Sequence, residues 1–490
     1  MKNRLKMQPE KGSRWAGSGR DRVQPDDNRM GGKNTMNGMD RIRGEWPHKK
    51  HLATLVAMIM ILLWMISAPL RGDAMEGIKG ITLPRALALA AERNRDIQMA
   101  LEYQNRVQGI YLEERAAALP QLTVQSNAGL SRDETQRAMA KTVPVDRENW
   151  SAAVGLRQVL FTWGQVGAAI RAAKIGIQGA KDQIRRYRQA VARDVTVAFE
   201  NALLARELVD IARDTLAQRQ RHAEESKRKF EAGTATDYDV LAAEVAVQNA
   251  RPDVISAENL VTISLDHLAF LLGLEGRKLS IDGTLETEAR PIPDYDRLVA
   301  LALEKRPELV ESAAWMGIQQ ELITVARAGN KPRLDFQGST GWGSLEMGNN
   351  REEGVIATGE IVMTFPFFDG FRTDGRVVQA ASELRRLEIA DAKLRDEIRV
   401  QVSEALSVLS ESGEILTAGR DTVRQAKRLL EMAEKGFIYG VKTNLEVQDA
   451  ELNLRQARGN LAKATRNHLA AAVTLDWVTG VIELPAVKEP

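Results

Sequence analysis

The residue types that usually carry out catalysis or bind metal ions are scattered in this sequence. The 5 histidines have no metal-ligand spacing. The chain has no cysteine, which excludes disulfides, thiolate metal sites and a cysteine nucleophile. It also lacks a Gly-x-Ser-x-Gly motif and a complete phosphate-binding loop. We therefore expect no enzymatic activity, no metal ion and no cofactor; the histidines are His48, His51, His222, His267 and His468.

Two similar turn sequences are the stronger candidate for a functional site. Residues 230–236 (FEAGTAT) align with residues 437–443 (FIYGVKT) at an offset of 207. Gly233 and Gly440 suit the left-handed position that ends many helices. The sequence therefore predicts a helix end at each glycine.

Hydroxyl and carboxylate side chains follow both glycines at a regular spacing. Thr443 and Glu446 have the spacing of a capping box, and Thr236 with Asp239 is a weaker counterpart. A second helix should thus begin directly after each turn, which makes each turn the tip of a tight antiparallel helical hairpin. The carboxylates of Glu446 and Asp239 are explained equally well by capping alone.

The turns belong to a longer duplication. Residues 86–94 match residues 298–306, and residues 119–125 match residues 331–337, both at an offset of 212. The offset falls to 207 before the turns, as expected if a surface loop between strands is shorter in the second copy. A period this long indicates a duplicated domain.

The two copies define the domain organisation. Residues 75–280 form the first repeat and residues 281–480 the second, each with the order helix, strand, strand, long helix, helix; residues 481–490 are a tail. In each copy a strand should follow Pro120 or its partner Pro332.

Hydrophobicity alternates with a period of two along the predicted strands, which gives each strand one apolar and one polar face. The polar stretches Ser131–Asn149 and Ser344–Gly354 are predicted to be the loops between them. Long hairpins with one apolar face resemble membrane-barrel strands. A hairpin packed on a soluble core is the alternative.

A long proline-free segment follows each strand pair. Gly164–Ala232 and Asp369–Ile438 would each form a helix on the order of 100 Å long at about 1.5 Å per residue. Apolar residues recur at spacings of three and four, as in coiled-coil seams. The predicted seams contain Val191, Val195, Phe199, Ala202 and Leu203, and Leu394, Ile398, Val402, Ala405, Leu406 and Leu409.

The first 74 residues differ from the rest of the chain. They carry a net charge of +7, which leaves −5 for the remainder and argues against a nucleic-acid-binding surface. Residues 1–38 are interpreted as a disordered extension or a start-codon artefact. Residues 39–74 are interpreted as a signal peptide around the apolar run 52–66, with a permanent membrane-spanning helix as the alternative.

These elements predict a mainly α-helical fold with a small β part. Four strands cannot close a barrel, and a barrel wall in lipid must close. Several chains must therefore contribute strands, while the long helical hairpins would form a tube in an aqueous compartment. That architecture suits a conduit through an envelope.

The chain resembles TolC-like outer-membrane efflux proteins over roughly residues 81–480. The duplicated turns carry this resemblance, together with the strand-to-helix junctions at residues 160–164 (LFTWG) and 366–370 (PFFDG). The resemblance implies a homotrimer in the outer membrane of a Gram-negative cell, with a twelve-stranded transmembrane β-barrel and a periplasmic α-helical barrel. It implies a periplasmic adaptor (membrane fusion protein) and an inner-membrane RND or ABC transporter as partners, in efflux or type I secretion.

The resemblance also implies roles for residues at the turns. Glu446 and Asp449 stand where acidic residues line the periplasmic entrance in the family. In a trimer their copies would form a ring that attracts cations. The alternative interpretation of Asp449 is an exposed side chain on a solvated helix face. Asp239, Phe437 and Lys442 match positions of a network that closes the entrance. Phe437 has no hydroxyl where some relatives have tyrosine, and Lys442 stands where some have arginine.

Two other classes of envelope protein are the alternatives to a channel. A periplasmic adaptor should have one hairpin between β-rich halves, and a structural coiled coil needs no strands.

Overall fold

The helices and strands follow the same order twice. The computed structural model describes residues 78–132, 146–274, 279–347 and 350–485. The first repeat contains β1 (Ile78–Ile81), α1 (Leu83–Arg93), α2 (Arg95–Ala116), β2 (Gln121–Arg132), β3 (Asp146–Phe161), α3 (Gln165–Glu231) and α4 (Asp237–Leu271). The second contains β4 (Leu279–Ile281), α5 (Tyr295–Lys305), α6 (Pro307–Arg327), β5 (Arg333–Met347), β6 (Asn350–Thr364), α7 (Arg372–Ile438) and α8 (Asn444–Val478). The predicted fold class, mainly helical with a small β part, is confirmed. The extension and signal peptide predicted for residues 1–74 lie outside the described residues.

The four long strands form one antiparallel sheet in the order β2-β3-β5-β6. Its register places apolar side chains of all four strands on one face: Val124 lies opposite Val154, Trp342 opposite Val355, and Phe336 opposite Ile361. The other face is polar, with Ser339 and Thr358 hydroxyls 2.8 Å apart. The alternation therefore continues across both repeats.

The predicted loops between the strands were too long. Strand β5 extends to Met347 and β6 begins at Asn350, inside the stretch assigned to a loop at Ser344–Gly354. Likewise β2 extends to Arg132 and β3 begins at Asp146, inside Ser131–Asn149. Polar residues were interpreted as loop because loops are usually polar, but a strand that continues beyond a lipid layer is polar on both faces.

Both long helices form as predicted and bury the predicted seams. Each is 67 residues long, roughly 100 Å. The first seam lies in a core formed with α1, the end of α4 and β4; the second lies in a core formed with α5 and the end of α8. The two cores are thus equivalent. Buried seam residues are Val191, Val195, Phe199, Ala202, Leu203, Ile398, Val402, Ala405 and Leu409, while Leu394 and Leu406 are partly buried.

Candidate functional site

The two turns have nearly the same backbone geometry. Gly233 and Gly440 have φ angles of 73° and 74°, which favour glycine. The Gly233 amide donates to the Phe230 carbonyl (2.9 Å) and the Gly440 amide to the Phe437 carbonyl (3.1 Å). A second bond closes each turn, since the amide of the next residue donates to a carbonyl five residues earlier. Each turn thus ends its helix in a Schellman-type motif.

A capping box starts each return helix. The Thr236 amide donates to the Asp239 carboxylate (2.9 Å), and the Asp239 amide donates to the Thr236 hydroxyl (3.2 Å). In the second turn the Thr443 amide donates to Glu446 (2.8 Å), and the Glu446 amide donates to the Thr443 hydroxyl (3.3 Å). Because these bonds satisfy free amides at the helix start, both carboxylates have a structural role.

Glu446 has an additional partner that its spacing from Thr443 does not predict. The Lys442 ammonium lies 2.5 Å from the Glu446 carboxylate. This hydrogen bond, together with the bond from the Thr443 amide, lowers the pKa of Glu446 to about 2. The carboxylate is therefore ionised near neutral pH, but a cation within the same turn balances its charge.

Asp449 is different because its carboxylate is exposed and no ion pair with it occurs among the described residues. It lies one helical turn beyond Glu446 on α8. Of the two predicted entrance carboxylates, Asp449 therefore contributes the less compensated charge.

The structure of one chain does not bring Asp239, Phe437 and Lys442 together as a network. Asp239 bonds to Thr236, and Lys442 bonds to Glu446. The Phe437 ring instead lies 5.0 Å from the Lys229 ammonium, across the gap between the two hairpins. Their role in closing an entrance stays a prediction, and any direct link among the three would need another chain or another conformation.

Sequence reasoning missed a cluster about three helical turns from the glycines. Glu451 of α8 has a nearly buried side chain (4% exposed) and contacts His222 of α3 at 2.7 Å. The signal in the sequence is an acidic residue within an apolar stripe, four residues after Val447, which is buried, and three before Leu454, which is half-buried. A carboxylate at such a position requires a partner from a neighbouring helix.

Comparison with known proteins agrees with this architecture. A family model described as "Outer membrane efflux protein" matches residues 86–274 and 298–481. The alkaline protease secretion protein AprF of Pseudomonas aeruginosa is 28% identical over 448 residues, which cover 87% of this chain and 90% of AprF. The outer membrane protein TolC of Vibrio cholerae is 23% identical over 415 residues, covering 81% and 88% of the two chains.

Solved structures show the same fold. The Campylobacter jejuni CmeC outer membrane channel superimposes with a TM-score of 0.71 at 16% identity, covering 83% of this chain and 87% of CmeC. A membrane protein from Pseudomonas aeruginosa gives a TM-score of 0.70 at 21% identity, covering 81% and 92%. The two matched regions of the family model fall one in each half of the chain. The chain is thus an outer-membrane protein with a large periplasmic helical part, and it belongs to the outer membrane efflux protein family.

Proposed function

We propose that the chain forms, as a homotrimer, a passive exit duct that conducts substrate from the periplasm to the exterior in a tripartite efflux or type I secretion system. The observation that carries the proposal is an incomplete sheet continuous with two 67-residue helices. The sheet has an apolar face of transmembrane type, and the helices are long enough to reach far into the periplasm.

The open edges of the sheet support assembly from several chains. Strands β2 and β6 are its outer strands, and neither has a partner on its free side within the described residues. An unpaired edge in lipid would leave amides and carbonyls without hydrogen bonds, which costs several kcal/mol per group. Three copies would supply the twelve strands that the resemblance implies.

The return helix α4 also needs a partner. It is the one described helix long and apolar enough to cross a membrane, yet only 17% of its most apolar window is buried. This helix is the return arm of a hairpin whose tip is a polar turn. We therefore expect its exposed apolar side chains to pack against a neighbouring chain of the trimer and not against lipid. The uncovered side chains include Leu241, Val245, Ile255, Leu260, Ile263 and Phe270.

The proposed partners depend on placing the two turns at the periplasmic end of the duct. A periplasmic adaptor would dock there and join the duct to an inner-membrane RND or ABC transporter, which would supply the energy. Among the relatives, AprF is named for protease secretion, and CzcC of Cupriavidus metallidurans is named for cobalt, zinc and cadmium resistance. Extracellular protein and sensitivity to toxic small molecules, measured in a deletion strain, would separate secretion from efflux.

A periplasmic adaptor or a structural coiled coil fits this chain less well. Both repeats contain a strand pair, and the four strands join in one sheet with an apolar face. A strand-free scaffold lacks such a sheet, and an adaptor would not carry two long hairpins.

The duct is tested by isolating the chain from outer membranes. We expect a trimer that dissociates only on heating in detergent and that gives ohmic conductance in planar bilayers without any energy source. A monomer in the soluble or inner-membrane fraction, or a trimer that does not conduct under any condition, would contradict the proposal.

We further propose that Asp449 dominates the cation preference of the entrance, since Lys442 balances the charge of Glu446. The variant D449N should lower the ratio of cation to anion permeability about twofold or more, while K442Q with E446Q, which removes both members of the balanced pair, has a smaller effect. K442Q should raise the ratio because it leaves Glu446 uncompensated. Reversal potentials in a salt gradient measure each ratio.

The control for this charge series is K463Q, which removes an exposed lysine farther along the same helix. If E446Q with D449N leaves both conductance and cation preference unchanged, the entrance carboxylates do not form a selective ring and act only as helix caps and solvated side chains.

A further inference from the structure

A nearly buried carboxylate lies between the two helical hairpins of one chain. Glu451 belongs to α8, the return helix of the second repeat, and its side chain is turned toward α3, the long helix of the first repeat. The residues beside it on α8, Val447 and Ala450, are buried in a small apolar cluster with Ala433 of α7. A charge at this position loses most of its contact with water.

Three residues of α3 face this carboxylate. One carboxylate oxygen, Oε1, lies 2.7 Å from His222 Nε2 and also accepts a short hydrogen bond from Gln218 Nε2. The other oxygen, Oε2, is buried without a hydrogen bond, and its nearest cation is Arg219 at 3.6 Å. The carboxylate is thus incompletely satisfied, so an additional positive charge beside it would stabilise the contact.

The other ionic contacts between the hairpins are exposed. Arg458 lies 3.4 Å from Asp214, and Arg455 lies 3.2 Å from Asp253. Exposed pairs contribute about 0–1 kcal/mol because water and salt screen them. A contact to a nearly buried carboxylate is screened less by water and salt, so the Glu451 cluster should dominate the polar coupling between the hairpins near the turns.

We propose that His222 and Glu451 form a pH-sensitive tie, which holds the two hairpins of one chain together more tightly in an acidic medium than in an alkaline one. Neutral His222 donates a hydrogen bond to the carboxylate without an opposite charge on the donor. Protonated His222 makes the same bond between two opposite charges, which adds a Coulomb attraction to it. The imidazole is 30% exposed, so protons can reach it from solvent.

The charges around His222 favour its protonated form. The hydrogen bond to Glu451 raises the pKa of His222 above the usual 6.5, burial opposes this, and the charges of Glu451 and Glu225 add to the rise while Arg219 lowers it. Since the folded-state pKa is raised, the tie is strongest below about pH 6.5 and weakens as the pH rises through the raised value.

The charged groups that shift the pKa of His222 are Glu451 of α8 and Glu225 and Arg219 of α3. The pair Arg213–Glu258 (2.6 Å) joins α3 to α4, and in the antiparallel register that it sets, uncharged Asn249 is level with His222 along the helices. The nearest charged residues on α4, Glu244 and Arg251, are exposed. On its own helix, Glu225 is bonded to Lys229 at 2.8 Å.

The tie is tested by measuring the separation of the two turns in the full-length protein. Because the chain has no cysteine, spin labels can be placed uniquely at A232C and Y439C, both exposed positions. Labelled chain is diluted with an excess of unlabelled chain, so that intrachain distances dominate. Between about pH 5.5 and about pH 8.5, the population with separated turns should rise about fivefold.

Two variants and one control decide the outcome. H222Q keeps a neutral donor, so its separated population should be high at both pH values; E451Q should also abolish the pH response. The matched control H267Q removes an exposed histidine of α4 and should respond like the unsubstituted chain. A pH response that persists in H222Q, disappears in H267Q or is absent from the unsubstituted chain would overturn the tie. The measurement reports on the hairpins whether or not the protein conducts, so failure of the tie and failure of the duct are distinguishable.

Discussion

The substitution G341A should prevent the strand pairs of the two repeats from joining. Gly341 of β5 lies opposite Ala153 of β3, and this strand pair is where the two repeats meet in the sheet. A Cβ atom on Gly341 would overlap the Ala152 carbonyl oxygen and lie 2.5 Å from the Ala153 Cα. Because both atoms belong to backbone, relief requires the strands to separate, at a cost of about 3 kcal/mol or more.

The matched control is G359A in β6 of the same sheet, where an added Cβ would meet nothing within 4 Å. Both variants share the general effect of replacing glycine in a strand. The fraction of heat-modifiable trimer in the outer membrane is the measurement. We expect a severe loss for G341A and little change for G359A; equal yields would show that β3 and β5 are not packed this closely.

Much of the fold follows from local patterns in the sequence. The long helices were predictable because proline is absent and the seam residues recur at spacings of three and four. Their ends were predictable because Gly233 and Gly440 supply the left-handed conformation that Schellman motifs require. The ends of the strands were not predictable in this way, since β5 and β6 continue into residues such as Glu352 and Glu353 that are polar on both faces.

The candidate site likewise contains some features that local spacing predicts and one contact that it does not predict. The capping boxes at Thr236 and Thr443 depend on residues three positions apart, so spacing alone identified them. The contact between His222 and Glu451 joins residues 229 positions apart, and it depends on how the second hairpin lies against the first. Only the apolar stripe around Glu451 marked this residue as unusual.

Arg306 provides the second large expected effect. Its side chain is 5% exposed and lies 2.9 Å from the Glu308 carboxylate, and it also donates to Gln401 (2.5 Å) on the long helix α7. Burial would raise the pKa of Glu308, but the hydrogen bonds and charge of Arg306 outweigh it and hold that pKa below its usual value. The guanidinium therefore keeps a half-buried carboxylate ionised where α5, α6 and α7 meet.

The matching position of the first repeat connects its short helices through a different kind of side chain. Asn94, at the same offset of 212, is buried between α1 and α2; it accepts from the Asp96 amide (2.9 Å) and donates to the Leu271 carbonyl (2.9 Å). A neutral amide therefore connects the short helices to the end of α4, whereas the second repeat uses an ion pair beside Trp477 near the end of α8. A neutral amide or an ion pair can thus occupy this position as long as every polar group has a partner. Removing one member of the ion pair should therefore lower stability much more than replacing both members together.

The variant R306M retains most of the apolar stem but leaves Glu308 without its main cation, and we expect it to lower the free energy of unfolding by about 3 kcal/mol near neutral pH. Because Glu308 in R306M can be neutralised by protonation, the difference from the unsubstituted chain should shrink as the pH falls toward 4.5, the usual value for a glutamate. Urea unfolding in detergent, followed near neutral pH and near pH 4.5, measures this difference in the free energy of unfolding.

The control R399M removes an arginine from the exposed pair with Asp396 and should change the free energy of unfolding by less than about 1 kcal/mol. A loss in R306M no larger than in R399M, or one that is the same at both pH values, would mean that packing of the arginine stem, and not its charge, holds this joint together.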